Sequence, residues 1–199
     1  MYICVYGASS NRLPDSILDK IEHLGECIAE RGYGLVFGAG DNGVMGASAR
    51  GAYRKNGEII GVVPEFFNVD GVLFPHCTRL IRTDTMRERK AILEKLSDAF
   101  IVAPGGFGTY DEMFEILTLK QLERHNKAVV LYNVDGFYDK LLEFFEVGIA
   151  KGVMKEAVKK TFFVCNTAEE ALAAIENYVP VQLALSELKD VDLLNDDDE

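Results

Sequence analysis

The sequence predicts an α/β fold in which a doubly wound parallel sheet carries helices on both faces. Short β-branched or apolar runs alternate with longer helical patterns along most of the chain. Those runs are continuously apolar rather than alternating, as expected of strands covered on both sides. Glycine clusters fall where the strands should end, and in such sheets ligands bind beyond the carboxyl ends of the strands.

Taken in order, a first strand is expected over Tyr2–Tyr6, followed by Gly7-Ala8-Ser9-Ser10 and a helix near Pro14–Arg31. A second strand, Gly34–Phe37, leads into Gly38-Ala39-Gly40-Asp41-Asn42-Gly43 and a helix over Gly43–Lys55. Ile59–Val63 and Arg79–Arg82 form the next strands, ahead of a helix over Thr85–Leu96 that opens with Met86-Arg87-Glu88-Arg89-Lys90. The apolar run Ala99–Ala103 delivers the loop Pro104–Glu112, whose end merges with a helix over Thr109–Glu123. Val129–Tyr132, a helix over Tyr138–Lys151, Phe162–Val164 and a helix over Ala168–Tyr178 complete the alternation. Neither a repeat nor a linker divides the pattern, so one domain over 1–179 is expected, with an acidic tail over 180–199.

At 199 residues and 48% apolar, the chain suits one globular domain with a substantial core. No apolar run approaches the length of a membrane span, and the N-terminus lacks a basic leader and a cleavage site. A cytoplasmic protein is therefore expected. Cys4, Cys27, Cys77 and Cys165 form no C-x-x-C and read as reduced thiols rather than a disulfide framework. His23, His76 and His125 are scattered, so they read as surface or packing residues and no metal site is expected. Net charge is −11, and six of those charges lie in the tail, where seven acids oppose only Lys189. A nucleic-acid partner is not expected, because affinity for a phosphate backbone needs a basic face.

Four strand-end segments are positioned to converge on one crevice: Gly7–Ser10, Gly38–Gly43, Met86–Lys90 and Pro104–Glu112. The last is the most informative. A strand, a glycine turn and a helix place several backbone N–H groups at a helix N-terminus, where the dipole favours an anion. Gly105, Gly106 and Gly108 leave no Cβ between that backbone and a phosphate. A structural alternative exists, since Thr109-x-x-Glu112 is also a capping-box pattern. A cap, however, needs neither Gly105-Gly106 nor the preceding proline. Gly38-x-Gly40-x-x-Gly43 matches a dinucleotide fingerprint, but it follows the second strand and its acidic partner would have to be Glu65. The favoured reading is a glycine turn for close helix–strand packing. The cations Arg87, Arg89 and Lys90 fall early in a helix, where the dipole disfavours them, which suggests an anionic ligand as partner.

Together, Gly7-Ala8-Ser9-Ser10, Gly40-x-x-Gly43-Val44-Met45-Gly46, Met86-x-x-Arg89-Lys90 and Pro104-Gly105-Gly106-x-Gly108-Thr109-x-x-Glu112 resemble the LOG ("lonely guy") family over about Tyr2 to Tyr178. Its members are cytokinin riboside 5′-monophosphate phosphoribohydrolases, often mislabelled as lysine decarboxylases. The resemblance implies a Rossmann-like fold, usually a homodimer, that cleaves a nucleoside 5′-monophosphate to free base and ribose 5-phosphate. By the same resemblance Arg89 and Glu112 match the catalytic pair. Lys90, Gly105, Gly106, Gly108 and Thr109 match phosphate and sugar contacts, Thr118 matches a further substrate contact, and Met86 would lie near the nucleotide. This chain departs from the family's pattern at Ala39, Asp41 and Arg87, which commonly are Gly, Ser and His. These changes bear on the base preference more than on the reaction.

The chemistry expected of these residues needs no metal or redox cofactor. The phosphate docks on the Gly105–Thr109 amides, Glu112 faces the oxocarbenium-like sugar, and Arg89 positions Glu112. The alternative is a nucleotide or molybdenum-cofactor carrier, which has no need of a carboxylate aimed at the sugar. Lysine decarboxylation fits poorly, because it would need a pyridoxal phosphate Schiff base on Lys90, which has an arginine neighbour.

Overall fold

The computed structural model describes residues 1–67 and 72–180. Beyond Pro180, the tail expected over 180–199 lies outside the described residues. The strands are β1 (Tyr2–Tyr6), β2 (Gly34–Phe37), β3 (Ile59–Pro64), β4 (Arg79–Thr83), β5 (Ala99–Val102), β6 (Ala128–Tyr132) and β7 (Phe163–Cys165). They form one sheet in the order β4-β3-β2-β1-β5-β6-β7, and every pairing is parallel. Among the described residues the α-helices are α1 (Asp15–Glu30), α2 (Gly43–Arg54), α3 (Met86–Leu96), α4 (Phe107–Gln121), α5 (Asp139–Ala150) and α6 (Ala168–Glu176). The fold is the Rossmann-like, doubly wound arrangement expected, with helices on both faces.

Strand side chains alternate between two cores, as the period of two requires. Ile3, Val5, Leu35, Phe37 and Ile101 pack with α1, α2 and α6 on one face. Cys4, Tyr6, Val36, Phe100 and Val102 pack with α3, α4 and α5 on the other. All four residues of β2 and of β5 are buried, which explains why these strands read as unbroken apolar runs. Each fully buried Leu, Ile, Val or Phe contributes about 1.5–3 kcal/mol before entropy is set against it. The outer strand β4 instead exposes Arg79 and Arg82, charges that discourage pairing with another sheet edge.

The chain leaves β1 toward β4, then returns beside β1 as β5 and continues outward to β7. The direction switches between β1 and β5, so the carboxyl ends of these two strands open a crevice. Their exits are tied together, with the Ala103 N–H donating to the Tyr6 carbonyl at 2.9 Å and the Ala8 N–H to the Pro104 carbonyl at 3.0 Å.

Most expected boundaries agree with the structure to within two residues, but two differences have physical causes. α4 begins at Phe107, with Gly106 in the N-cap position and no side-chain cap. Thr109 therefore lies inside the first turn and cannot cap it, which removes the capping-box reading of Thr109 and Glu112. Short 3-10 turns at Glu65–Phe67, Val134–Gly136 and Glu156–Thr161 were absent from the expected pattern, because three to six residues are too few to show a helical period.

Candidate active site

A cavity of about 560 Å³ lies over the β1/β5 switch point. All four strand-end segments reach it, through Gly7–Ser10, Gly38 with Gly40 and Asn42, Met86 with Arg89, and Gly106–Thr109 with Asp111 and Glu112. Its wall also carries the apolar residues Met45, Val63, Pro64, Phe67, Val72 and Leu73. The cavity thus combines helix-terminus amides and charge with an apolar lining.

Arg89 enters from the first turns of α3. That helix is started by Thr85, whose hydroxyl accepts the Glu88 N–H at 3.1 Å, while the Glu88 carboxylate accepts the Asp84 N–H at 2.9 Å. The Arg89 fork is fully directed: Nε donates to the Val62 carbonyl at 3.0 Å and Nη1 donates to Glu112 Oε1 at 2.7 Å. Nη2 lies over Gly38, where an added Cβ would stand 2.0 Å from it. Gly38 is thereby explained: it makes room for a guanidinium.

Glu112 stands on the second turn of α4, and it and Arg89 are each only 8% exposed. Burial pushes the Glu112 carboxyl above the usual glutamate range, and the Arg89 charge and hydrogen bond pull the other way. Beneath the pair, burial and then the Glu112 charge push the Cys4 thiol up to about 12, so it stays neutral.

The amides at the start of α4 belong to Phe107, Gly108 and Thr109, which by helix geometry have no partner within the helix. Added Cβ atoms at Gly106 and Gly108 would meet nothing within 4 Å, so internal packing does not demand glycine there. Gly105 differs, since its Cβ would lie 2.1 Å from Thr109 Oγ1. The start of α2 differs too. Its Gly43 N–H donates to Asn11 Oδ1 at 2.9 Å and its Val44 N–H to the Ala8 carbonyl at 2.8 Å. Gly43 has φ +58°, and a Cβ on Gly46 would stand 1.8 Å from the Asp41 carbonyl oxygen. The Gly38–Gly43 fingerprint therefore serves a turn and close packing, and its amides are already engaged by protein.

Not every expected site residue reaches the cavity. Arg89, Glu112, Met86, Gly106, Gly108 and Thr109 line it. Lys90 points instead to Asp111 at 3.0 Å and Glu115 at 2.8 Å, pinning α3 to α4. Gly105 sits behind Thr109, and Thr118 is exposed farther along α4. The apolar wall of Met45, Phe67 and Leu73 was missed, because such residues carry no chemical signature until the fold gathers them.

A family model described as "possible lysine decarboxylase" matches residues 45–175. The cytokinin riboside 5′-monophosphate phosphoribohydrolase LOG of Oryza sativa subsp. japonica is 36% identical over 178 residues, spanning 89% of this chain and 74% of that protein. The molybdenum cofactor carrier protein of Chlamydomonas reinhardtii superposes with a TM-score of 0.67 at 25% identity, covering 88% of this chain and 95% of that one. The molybdenum cofactor binding protein of Rippkaea orientalis gives 0.68 at 22% identity, covering 88% and 94%, and shows likeness of fold alone. Similarity of that extent to the curated relative, laid over the motifs that build this crevice, makes the chain a member of the LOG family.

Proposed function

We propose that the protein is a hydrolase that cleaves the N-glycosidic bond of a nucleoside 5′-monophosphate, AMP or a cytokinin riboside monophosphate, to free base and ribose 5-phosphate. The observation that carries this reading is the buried Arg89–Glu112 pair, 2.7 Å apart, in the wall of a cavity that begins at the uncapped N-terminus of α4. The phosphate docks on the Phe107–Thr109 amides, where the helix dipole favours an anion. The sugar then lies beside Glu112 and the base extends toward Met45, Phe67 and Leu73.

Bond cleavage leaves positive charge on the sugar, as in glycoside hydrolysis. Glu112, whose charged form Arg89 favours while burial opposes it, stabilises that charge and orients or deprotonates the attacking water. Arg89 acts through position, with its two hydrogen bonds holding the carboxylate in one rotamer. Lysine decarboxylation is disfavoured by the placement of Lys90, whose amine is engaged by Asp111 and Glu115 and does not line the cavity.

Incubation with AMP and with isopentenyladenosine monophosphate, followed by chromatography, tests the reading. Release of base and ribose 5-phosphate in equal amounts is expected. A carrier function, favoured by the likeness to the Chlamydomonas reinhardtii carrier, predicts binding without release.

We further propose that the protein acts as a homodimer in the cytoplasm. α4 carries apolar side chains around its circumference and leaves Phe107 94% and Phe114 42% exposed, with Phe144 of α5 65% exposed. A second copy covering this face would also enclose Thr118. The four cysteines are free thiols, in keeping with a reducing compartment. Sedimentation of wild type and of Phe114→Glu should give dimer and monomer respectively; a wild-type monomer would refute the assembly.

A further inference from the structure

We propose that His23, Cys27 and Glu169 form a binding site for one divalent ion of the zinc class, which ties α1 to α6 on the sheet face opposite Arg89 and Glu112. His23 and Cys27 are four residues apart and so share one face of α1. The fold brings Glu169, 146 residues from His23, onto that face from the first turn of α6. The ligand atoms of the three residues all lie within 4.8 Å of one another.

The triangle they make is close to the one such an ion requires. His23 Nε2 is 3.5 Å from Cys27 Sγ, Cys27 Sγ is 3.8 Å from Glu169 Oε1, and His23 Nε2 is 2.7 Å from Glu169 Oε1. With ordinary zinc–sulfur, zinc–nitrogen and zinc–oxygen bonds at tetrahedral angles, the same edges measure about 3.6, 3.6 and 3.4 Å. Two edges are within a few tenths of an ångström of those values. The third opens by a rotation of Glu169, whose side chain is 57% exposed and would exchange its helix-start hydrogen bonds for the ion.

The surroundings suit a cation. Nε2–H can donate to only one partner, so the His23–Glu169 bond leaves the Cys27 thiol with a long contact. An ion at the centre satisfies all three donors at once. Glu26 Oε2 stands 3.8 Å from His23 Nδ1 and adds negative charge beside the site. The guanidinium of Arg31 borders the site: it hydrogen-bonds the Cys27 side chain and favours its thiolate, and it is held as well by Glu176 at 3.1 Å and by the Cys27 carbonyl at 3.3 Å. A mixed sulfur, nitrogen and oxygen set favours zinc over magnesium or calcium. Water takes the fourth position, and binding releases the thiol proton to solvent.

Cobalt(II) titration of the intact protein tests this, because a cobalt–thiolate bond absorbs in the near ultraviolet. Wild type should develop the band with one equivalent of cobalt. Cys27→Ser should lose it although Cys4, Cys77 and Cys165 remain. By zinc calorimetry, His23→Gln and Glu169→Gln should each weaken binding by about tenfold or more. Zinc at about a hundred times its wild-type dissociation constant should raise the wild-type melting temperature by roughly 5–10 °C and that of Glu169→Gln by about half as much or less. Base release should be the same in all variants. A wild type that shows no band at millimolar cobalt, or a band undiminished in Cys27→Ser, overturns the proposal.

Discussion

Glu112→Gln isolates the charge of the proposed catalytic carboxylate while preserving its shape. The amide oxygen can still accept from Arg89 Nη1, now 2.7 Å from Glu112 Oε1, so the side chain should keep its place. Its surroundings are mostly dry, with the Glu112 side chain 10% exposed. With half a unit charge developing on the sugar about 4 Å away and an effective dielectric near 20, Coulomb's law gives about 2 kcal/mol, roughly thirtyfold in rate. Orienting and deprotonating the attacking water contributes about 10²–10⁴-fold more. The turnover number should therefore fall by at least about a thousandfold, measured as base released from AMP by chromatography. AMP affinity by calorimetry should be nearly unchanged, because the proposed phosphate site is the α4 amides and does not include Glu112. A folded variant that binds AMP and releases base at about a tenth of the wild-type rate or faster would refute the assignment.

Arg89→Lys can satisfy Val62 or Glu112 but not both, and losing one charged hydrogen bond of about 1.5–3 kcal/mol should lower kcat/KM by about 10–100-fold. Gly38→Ala places a Cβ 2.0 Å from Arg89 Nη2 and should lower kcat, whereas Gly106→Ala meets open space and should raise KM with the melting temperature unchanged. The same KM effect from both substitutions would contradict the division of labour between the two glycines. The pH profile should also carry a signature. Net, burial holds Glu112 above its ordinary value, so the acid limb of kcat/KM should lie above the usual glutamate pKa of about 4.3. Because the folded state binds this proton more tightly than the unfolded chain, stability falls as pH rises from the unfolded to the folded pKa, and Glu112→Gln should abolish that contribution in denaturant titrations at a series of pH values.

The strands and most helices were legible because β1, β2 and β5 are buried on both faces and so appear as unbroken apolar runs. Arg89 and Glu112 were legible through their spacing from the glycine loop and through the oddity of cations in the first turns of α3. The partner of those cations was not. The sequence suggested an anionic ligand, yet Lys90 meets Asp111 and Glu115 of α4, a pairing across more than twenty residues that no local pattern encodes. Thr109-x-x-Glu112 was ambiguous for a local reason: the same residues cap a helix or project from it, depending on a three-residue shift in its start. Phe67 and Leu73 are apolar residues in connecting segments, and only their shared approach to the Gly38–Asp41 turn gives them a role. That turn is pinned by Asp41 N–H to the Val72 carbonyl at 2.9 Å and by Phe74 N–H to the Ala39 carbonyl at 2.9 Å. The nearness of His23 to Glu169 was hidden for the same reason, since the two meet only when α6 packs beside α1.

The buried pair also bears on the choice between hydrolase and carrier. A buried ion pair is a weak source of stability, because desolvating both ions offsets much of their attraction, and removing one partner then costs about 3–5 kcal/mol. Docking α3 against α4 does not require one. Lys90 already links the helices through Asp111 and Glu115 near the surface, and Leu93, Met113 and Leu117 supply apolar contact within the same core. Arg89 and Glu112 are therefore held in the cavity wall at an energetic disadvantage that packing alone does not explain. A carrier must return its cargo unaltered, and it has no use for a carboxylate fixed in one rotamer by a buried guanidinium. A hydrolase needs that carboxylate at the moment when the sugar becomes positive, and needs it fixed beforehand.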